Sequence, residues 1–173
     1  MALFETAYSF VLPNEAGTPP SYKITADPAR HHIDAKAIAG INSAFFPSDF
    51  AFIASLPEDQ RALAVAAYYQ RVWWNRWLGN INSNAVAAVV MDAQVNMGAS
   101  VGTELLQGAL CDCGHNVGVD GAFGPITVAA VNSVLSASLV QAFQAARADK
   151  YRAIGGPNLG AWLRRAALTP NFD

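Results

Sequence analysis

Charge is scarce in this chain. Asp, Glu, Lys and Arg together make up 14% of its 173 residues, and the net charge is −2. There is no basic stripe to meet nucleic-acid phosphates and no polybasic patch to meet anionic lipid. No apolar run approaches the ~20 residues of a membrane-spanning helix, so no membrane span is expected. The first ten residues lack the basic start of a signal peptide and are interrupted by Glu5. The protein is therefore expected to be made in the cytoplasm without a signal peptide. Cysteine is almost absent. Cys111 and Cys113 are the only two, which excludes a disulfide framework. With His115 they offer three soft ligands, but a fourth is missing and the spacing is not that of a zinc finger or ribbon. Two reduced thiols in a loop are expected, with no metal and no organic or nucleotide cofactor.

Hydrophobic residues are plentiful, at 53%, so a sizeable core can form and wholesale disorder is excluded. The periodicities are mostly helical. Residues 3–17 read as a short apolar helix with Leu3, Ala7, Phe10 and Val11 on one face. It ends in Glu15, followed by Gly17 and two prolines, which cannot continue it. Residues 21–25 alternate and suit a short strand. Asp27-Pro28 marks a turn, and the stretch to Ala39, with His31, His32 and Asp34, reads as irregular or hairpin-like. Pro47 and Ser48 read as a break. Ser55-Leu56-Pro57-Glu58 reads as a capping box that opens a long helix running to Gly79, with Leu63, Val65, Ala66, Tyr69, Val72, Trp73 and Trp77 as its buried stripe. The helix after Asn84 is apolar nearly all round and is expected to be central and buried. Asp92 and Asn96 sit one turn apart on it. Further helices are read over 101–110, 127–135, 138–152 and 159–167, with a glycine-rich loop over 111–125. The reading is a mainly α fold with a small β-hairpin or irregular segment near residues 20–42. A soft boundary near Gly98 divides residues 1–99 from a helical 100–173, the two packed as one compact unit.

Glu15 carries the chemistry of this reading. A carboxylate at the negative end of a helix dipole is disfavoured in its charged form. A carboxyl that keeps its proton near neutrality is what a general acid needs. Aromatic faces suit sugar rings, and they also suit cores. Tyr69, Trp73 and Trp77 fall on the core side of the long helix, whereas Tyr68 and Trp74 fall on faces that can reach a cleft. Asp92 and Asn96 are read as tying the central helix to the active-site loop, and Asn96 as also able to meet substrate. The loop 119–127, with Asp120, reads as a helix connection whose glycines serve tight turns.

In chain order these pieces resemble the glycoside hydrolase family 108 muramidases, lysozyme-like endolysins and autolysins of phages and bacteria. Glu15-Ala16-Gly17 stands where the family has Glu-Gly-Gly-Tyr. Gly40-Ile41-Asn42 and Phe45-Phe46-Pro47 look like its Gly-Ile-Thr segment and the aromatic-Pro that follows. Tyr69-Gln70-Arg71, Trp73-Trp74, Met91-Asp92, Asn96 and Gly98 look like its central helices. Leu106-Gln107, Val119-Asp120-Gly121, Phe123-Gly124-Pro125, Thr127 and Gly160-Ala161-Trp162-Leu163 with Arg165 look like its C-terminal peptidoglycan-binding region. The resemblance implies a lysozyme-like helical fold. It also implies hydrolysis of the β-1,4 bond between N-acetylmuramic acid and N-acetylglucosamine. Glu15 would be the general acid. The family's Asp-Pro-Gly-Gly-x-Thr run is missing here, so the second carboxylate is Asp27 or Asp34. Tyr68, Trp74, Asn96 and Asp120 are the expected substrate contacts. The partner implied is the peptidoglycan glycan strand, met by a monomer after holin- or lysis-dependent release. Two alternatives stay open: a lytic transglycosylase that uses Glu15 alone, and a non-catalytic peptidoglycan-binding or virion module.

Overall fold

Residues 1–28, 32–74 and 77–172 are described by a computed structural model. The fold is mainly helical with one small sheet. The first helix, α1 (Phe4–Ala16), starts where its backbone is tied down. Ala2 N–H donates to the Ile81 carbonyl at 2.6 Å, and Leu3 N–H donates to Asn84 Oδ1 at 2.9 Å. Because the helix begins at Phe4, its buried face is Phe4, Ala7 and Val11, and Leu3 is left exposed. The chain divides into two compact units, and the division falls inside α1. One unit is Met1–Phe10 with Trp73–Asp173, and the other is Val11–Val72.

The smaller unit holds the sheet. Strands β1 (Thr25–Ala26), β2 (Lys36–Ile38) and β3 (Ile41–Asn42) pair antiparallel in sequence order. Ile38 faces Ile41 across a two-residue turn. Both turn residues have positive φ, Ala39 at 46° and Gly40 at 77°. Two consecutive left-handed residues match the twist of a tight hairpin, although Ala pays for its Cβ there. His32 opens the turn before β2, whereas His31 lies outside the described residues.

Two expectations fail in this unit. Pro47-Ser48 does not break the chain; it begins α2 (Pro47–Ser55). Proline is at home in the first turn, where its missing N–H has no helical partner. Ser55 is then the last residue of α2 and not an N-cap, and its hydroxyl donates back to Phe52 O at 2.7 Å. The stop comes from Pro57, which pushes the residue before it out of the helical region; Leu56 is extended, with φ −80° and ψ 149°. The next helix, α3 (Arg61–Val72), begins after a 3-10 turn at Glu58–Gln60 and ends well short of Gly79. Aromatic residues have only modest helix propensity, and Trp74 packs edge-on against Phe4, 6.0 Å between centroids. The shifted frame buries Val65, Tyr68 and Tyr69, at i, i+3 and i+4. It leaves Leu63, expected inside, 83% exposed.

The larger unit is built around α4 (Asn84–Met97), where Val86 through Gln94 are all buried. Ser83 caps it by accepting from Val86 N–H at 3.2 Å. Around it pack α5 (Ala99–Asp112), α7 (Ser136–Ile154) and α8 (Leu159–Ala166), and α6 (Pro125–Val131) contacts α5. Gly102 brings α5 close to α4: a Cβ there would lie 2.9 Å from Gln94 Cγ and 3.0 Å from its backbone N. No single helix among the described residues is long and apolar enough to cross a membrane.

Candidate active site

In the smaller unit, the last turn of α1 and the sheet enclose an open cavity of about 320 Å³. That volume is within the range of small-ligand sites. Glu15 lines it from the end of α1, facing Gly40 of the β2–β3 turn. From the other side come Ser21, Lys23, Thr25 and Asp27. These are alternate residues of an extended stretch, so their side chains share one face. Arg61 fixes that stretch. Its guanidinium donates to Tyr22 O at 3.0 Å, Leu56 O at 3.0 Å and Ala54 O at 3.1 Å, a use of the rigid fork that a lysine could not copy.

Asp27 is held by the buried Asn42 of β3, whose Nδ2 donates to Asp27 Oδ2 at 2.8 Å and to its backbone carbonyl at 3.0 Å. Asn42 is fixed in turn, because its Oδ1 accepts from Ala44 N–H at 2.8 Å. One carboxylate is thus oriented by a side chain that cannot rotate freely. The other, Glu15, sits over a residue with no side chain. A Cβ at Gly40 would overlap Glu15 Oε2 and come within 2.8 Å of the Tyr69 hydroxyl. Gly40 therefore serves twice, allowing positive φ and giving room for the carboxyl.

The two candidates for the second carboxylate separate here. Asp27 shares the cavity with Glu15, whereas Asp34 lies in the exposed turn before β2 and lines a different depression with His32, Ile33 and Ser43. Tyr68, expected at the cleft, is only 4% exposed. It is boxed in edge-on by Phe46 at 5.3 Å and Tyr69 at 5.4 Å, because α3 starts later than the pattern implied. Trp74 packs on Phe4. Asn96 accepts from the Tyr151 hydroxyl at 2.5 Å and borders a small depression with Trp162 and Lys150.

Asp120 belongs to a hydrogen-bonded loop. The buried Gln107 accepts from Asp120 N–H at 3.0 Å and from Gly121 N–H at 2.9 Å, and its Nε2 donates to Asp120 Oδ1 at 2.8 Å. Asp120 Oδ1 also accepts from Ala122 N–H at 2.9 Å. The Ala122 N–H, then Gln107, hold the Asp120 carboxyl below its ordinary value, against a smaller opposing effect of desolvation. Asp92 ties α4 to α7 and α8. It is buried between Arg147 of α7, at 2.8 Å, and Arg165 of α8, at 2.9 Å. Among the described residues no cluster of His, Cys, Asp and Glu could hold a metal ion, and Cys111 and Cys113 are free thiols.

Lys23 and Ser21, which line the cavity, are missed by sequence reasoning. The alternation over 21–25 is a usable signal for both, since a strand with one polar face beside a carboxylate can line a site.

Residues 101–166 match the family model described as a predicted peptidoglycan domain. The match relates the C-terminal part of the chain to peptidoglycan. No curated protein matches the chain. Among solved structures it is similar to SagA of Brucella abortus, with 18% identity and a TM-score of 0.71, covering 95% of this chain and 89% of that one. At that identity the likeness is one of fold.

Proposed function

We propose that the chain cleaves the glycan strands of peptidoglycan, hydrolysing the β-1,4 bond between N-acetylmuramic acid and N-acetylglucosamine. The observation that carries this reading is the pair of carboxyl groups, Glu15 and Asp27, lining one open cavity with hydroxyl and ammonium neighbours. The peptidoglycan match over 101–166 supports the same substrate class. Glu15 protonates the leaving glycosidic oxygen, which removes the need to expel an alkoxide as the sugar gains oxocarbenium character. Asp27, oriented by Asn42, stabilises that cation or takes a proton from the attacking water. Ser21, Lys23 and Thr25 supply donors for sugar hydroxyl and acetamide groups.

Mass spectrometry of fragments released from purified sacculi tests the reaction. Hydrolysis leaves muramic acid at a free reducing end. Anhydro-muramic ends would replace it with a transglycosylase in which Glu15 acts alone. Folded protein that releases no glycan fragment would overturn the enzymatic reading in favour of a binding module.

A further inference from the structure

We infer that the larger unit carries a second site, which holds the carboxyl end of a peptidoglycan stem peptide. The inference rests on the peptidoglycan reading of the chain and does not depend on the cut at Glu15. The site is a depression of about 210 Å³ bordered by the C-terminal ends of α4 and α7, the first turn of α5, and α8. Val101, Lys150, Tyr151, Ile154 and Trp162 all lie in the stretch 101–166 related to peptidoglycan, and Asn96 and Met97 complete the lining. Sites for whole small ligands run to about 300–1,000 Å³, so this one suits the end of a chain and not an entire peptide or disaccharide.

The lining combines apolar surface with hydrogen-bond donors. Met97, Val101 and Ile154 supply the apolar part, and Ile154 is 57% exposed. Trp162 is held as a wall by stacking on the buried Tyr151, with 5.5 Å between centroids and 25° between planes. The Tyr151 hydroxyl donates to Asn96 Oδ1. That engages the oxygen of the amide and leaves its Nδ2 hydrogens without a protein acceptor among the described residues. The Trp162 indole N–H and the Lys150 ammonium are likewise without one among those residues. Asp149, the acid next to Lys150 in the chain, is already paired with Arg152 at 2.7 Å. Among the described residues no carboxylate lines the depression. These donors, one of them charged, call for an acceptor-rich anion beside a small apolar group. Sugar hydroxyls, which donate as readily as they accept, match them less well. Stem peptides end in alanine, a methyl group beside a carboxylate. The carboxylate meets Lys150 and the amide and indole N–H groups, and the methyl packs against the apolar residues.

The test is an NMR titration of the full chain with diacetyl-L-lysyl-D-alanyl-D-alanine, read at the assigned Trp162 indole and Asn96 amide N–H signals. Saturable shifts at both are expected. Lys150→Gln with this peptide, and wild type with the peptide as its C-terminal amide, should each bind about 2–5-fold more weakly, the worth of an exposed ion pair. Combining the two changes should cost no more than either alone, because both remove the same contact. The absence of a saturable shift at Trp162, or losses that multiply, overturns the inference. So does a Trp162 shift with tri-N-acetylchitotriose that the peptide does not reproduce, which would make this a sugar site. Lys150 is exposed, so its substitution leaves the core intact, and the amidated peptide probes the same contact on unaltered protein. Glu15→Gln, which should cut glycan far more slowly, should bind the peptide as tightly as wild type. A chain that binds peptide but cuts no glycan sinks the proposed reaction alone. A chain that cuts glycan but binds no peptide sinks only this site.

Discussion

Asp120 shows how a single carboxyl can organise a loop. Its oxygen accepts from Ala122 N–H and Gln107 Nε2, and both favour the ionised form. The folded-state pKa is lowered from 3.8. A group lowered in the folded state adds stability above its unfolded value and loses it as pH falls through the folded value. Asp120→Ala should therefore be less stable than wild type at pH 7, and the gap should narrow below about pH 4. Urea midpoints at the two pH values decide it; a gap that does not narrow on the acid side contradicts the assignment. The residue scale is also where the sequence was least legible. Arg147 is wholly buried, yet arginine is normally read as exposed. Tyr68 and Tyr69 are neighbours of one type, and only the starting point of α3 decides which surroundings each meets. The place of Glu15 in the last turn of α1 was legible because an apolar helix meets a Gly-Thr-Pro-Pro exit there.

Among the elements, α5 carries two glycines with opposite expectations. Gly102 lies against the α4 backbone at Gln94, and backbone cannot step aside. Gly102→Ala should cost about 1–3 kcal/mol, as overpacking does. Gly108 has no neighbour within 4 Å of the same added carbon, so Gly108→Ala should gain about 0.5–1 kcal/mol from helix propensity. Chemical denaturation of both variants measures the pair. Equal signs would mean that the α4–α5 approach is not as described. The link from α4 to α7 and α8 runs through Asp92, which is fully buried between Arg147 and Arg165. Asp92→Ala leaves the buried Arg147 charge without its carboxylate. It should destabilise by about 3–5 kcal/mol in the same assay, and a loss below about 1 kcal/mol, the range of an exposed pair, would contradict the buried bridge. The helices themselves were readable where the apolar pattern was continuous, as over α4. The reading failed at Pro47 and Ser55, because proline both opens helices and closes them, and only the chain direction at Leu56 tells which.

At the scale of the whole molecule, the mainly α architecture and the order of most helices were legible, since apolar stripes at helical spacing fix both. The compact units follow contacts and not chain order, and α1 begins in one and ends in the other. The central claim is that glycan is cut at Glu15. Its most direct test compares wild type with Glu15→Gln for release of dye from labelled sacculi, with folding and sacculus binding followed in parallel. Wild type should release label, and Glu15→Gln should fold and bind yet be slower by about 10²–10⁴-fold, the usual worth of a positioned general acid. Release by Glu15→Gln at the wild-type rate would contradict the account.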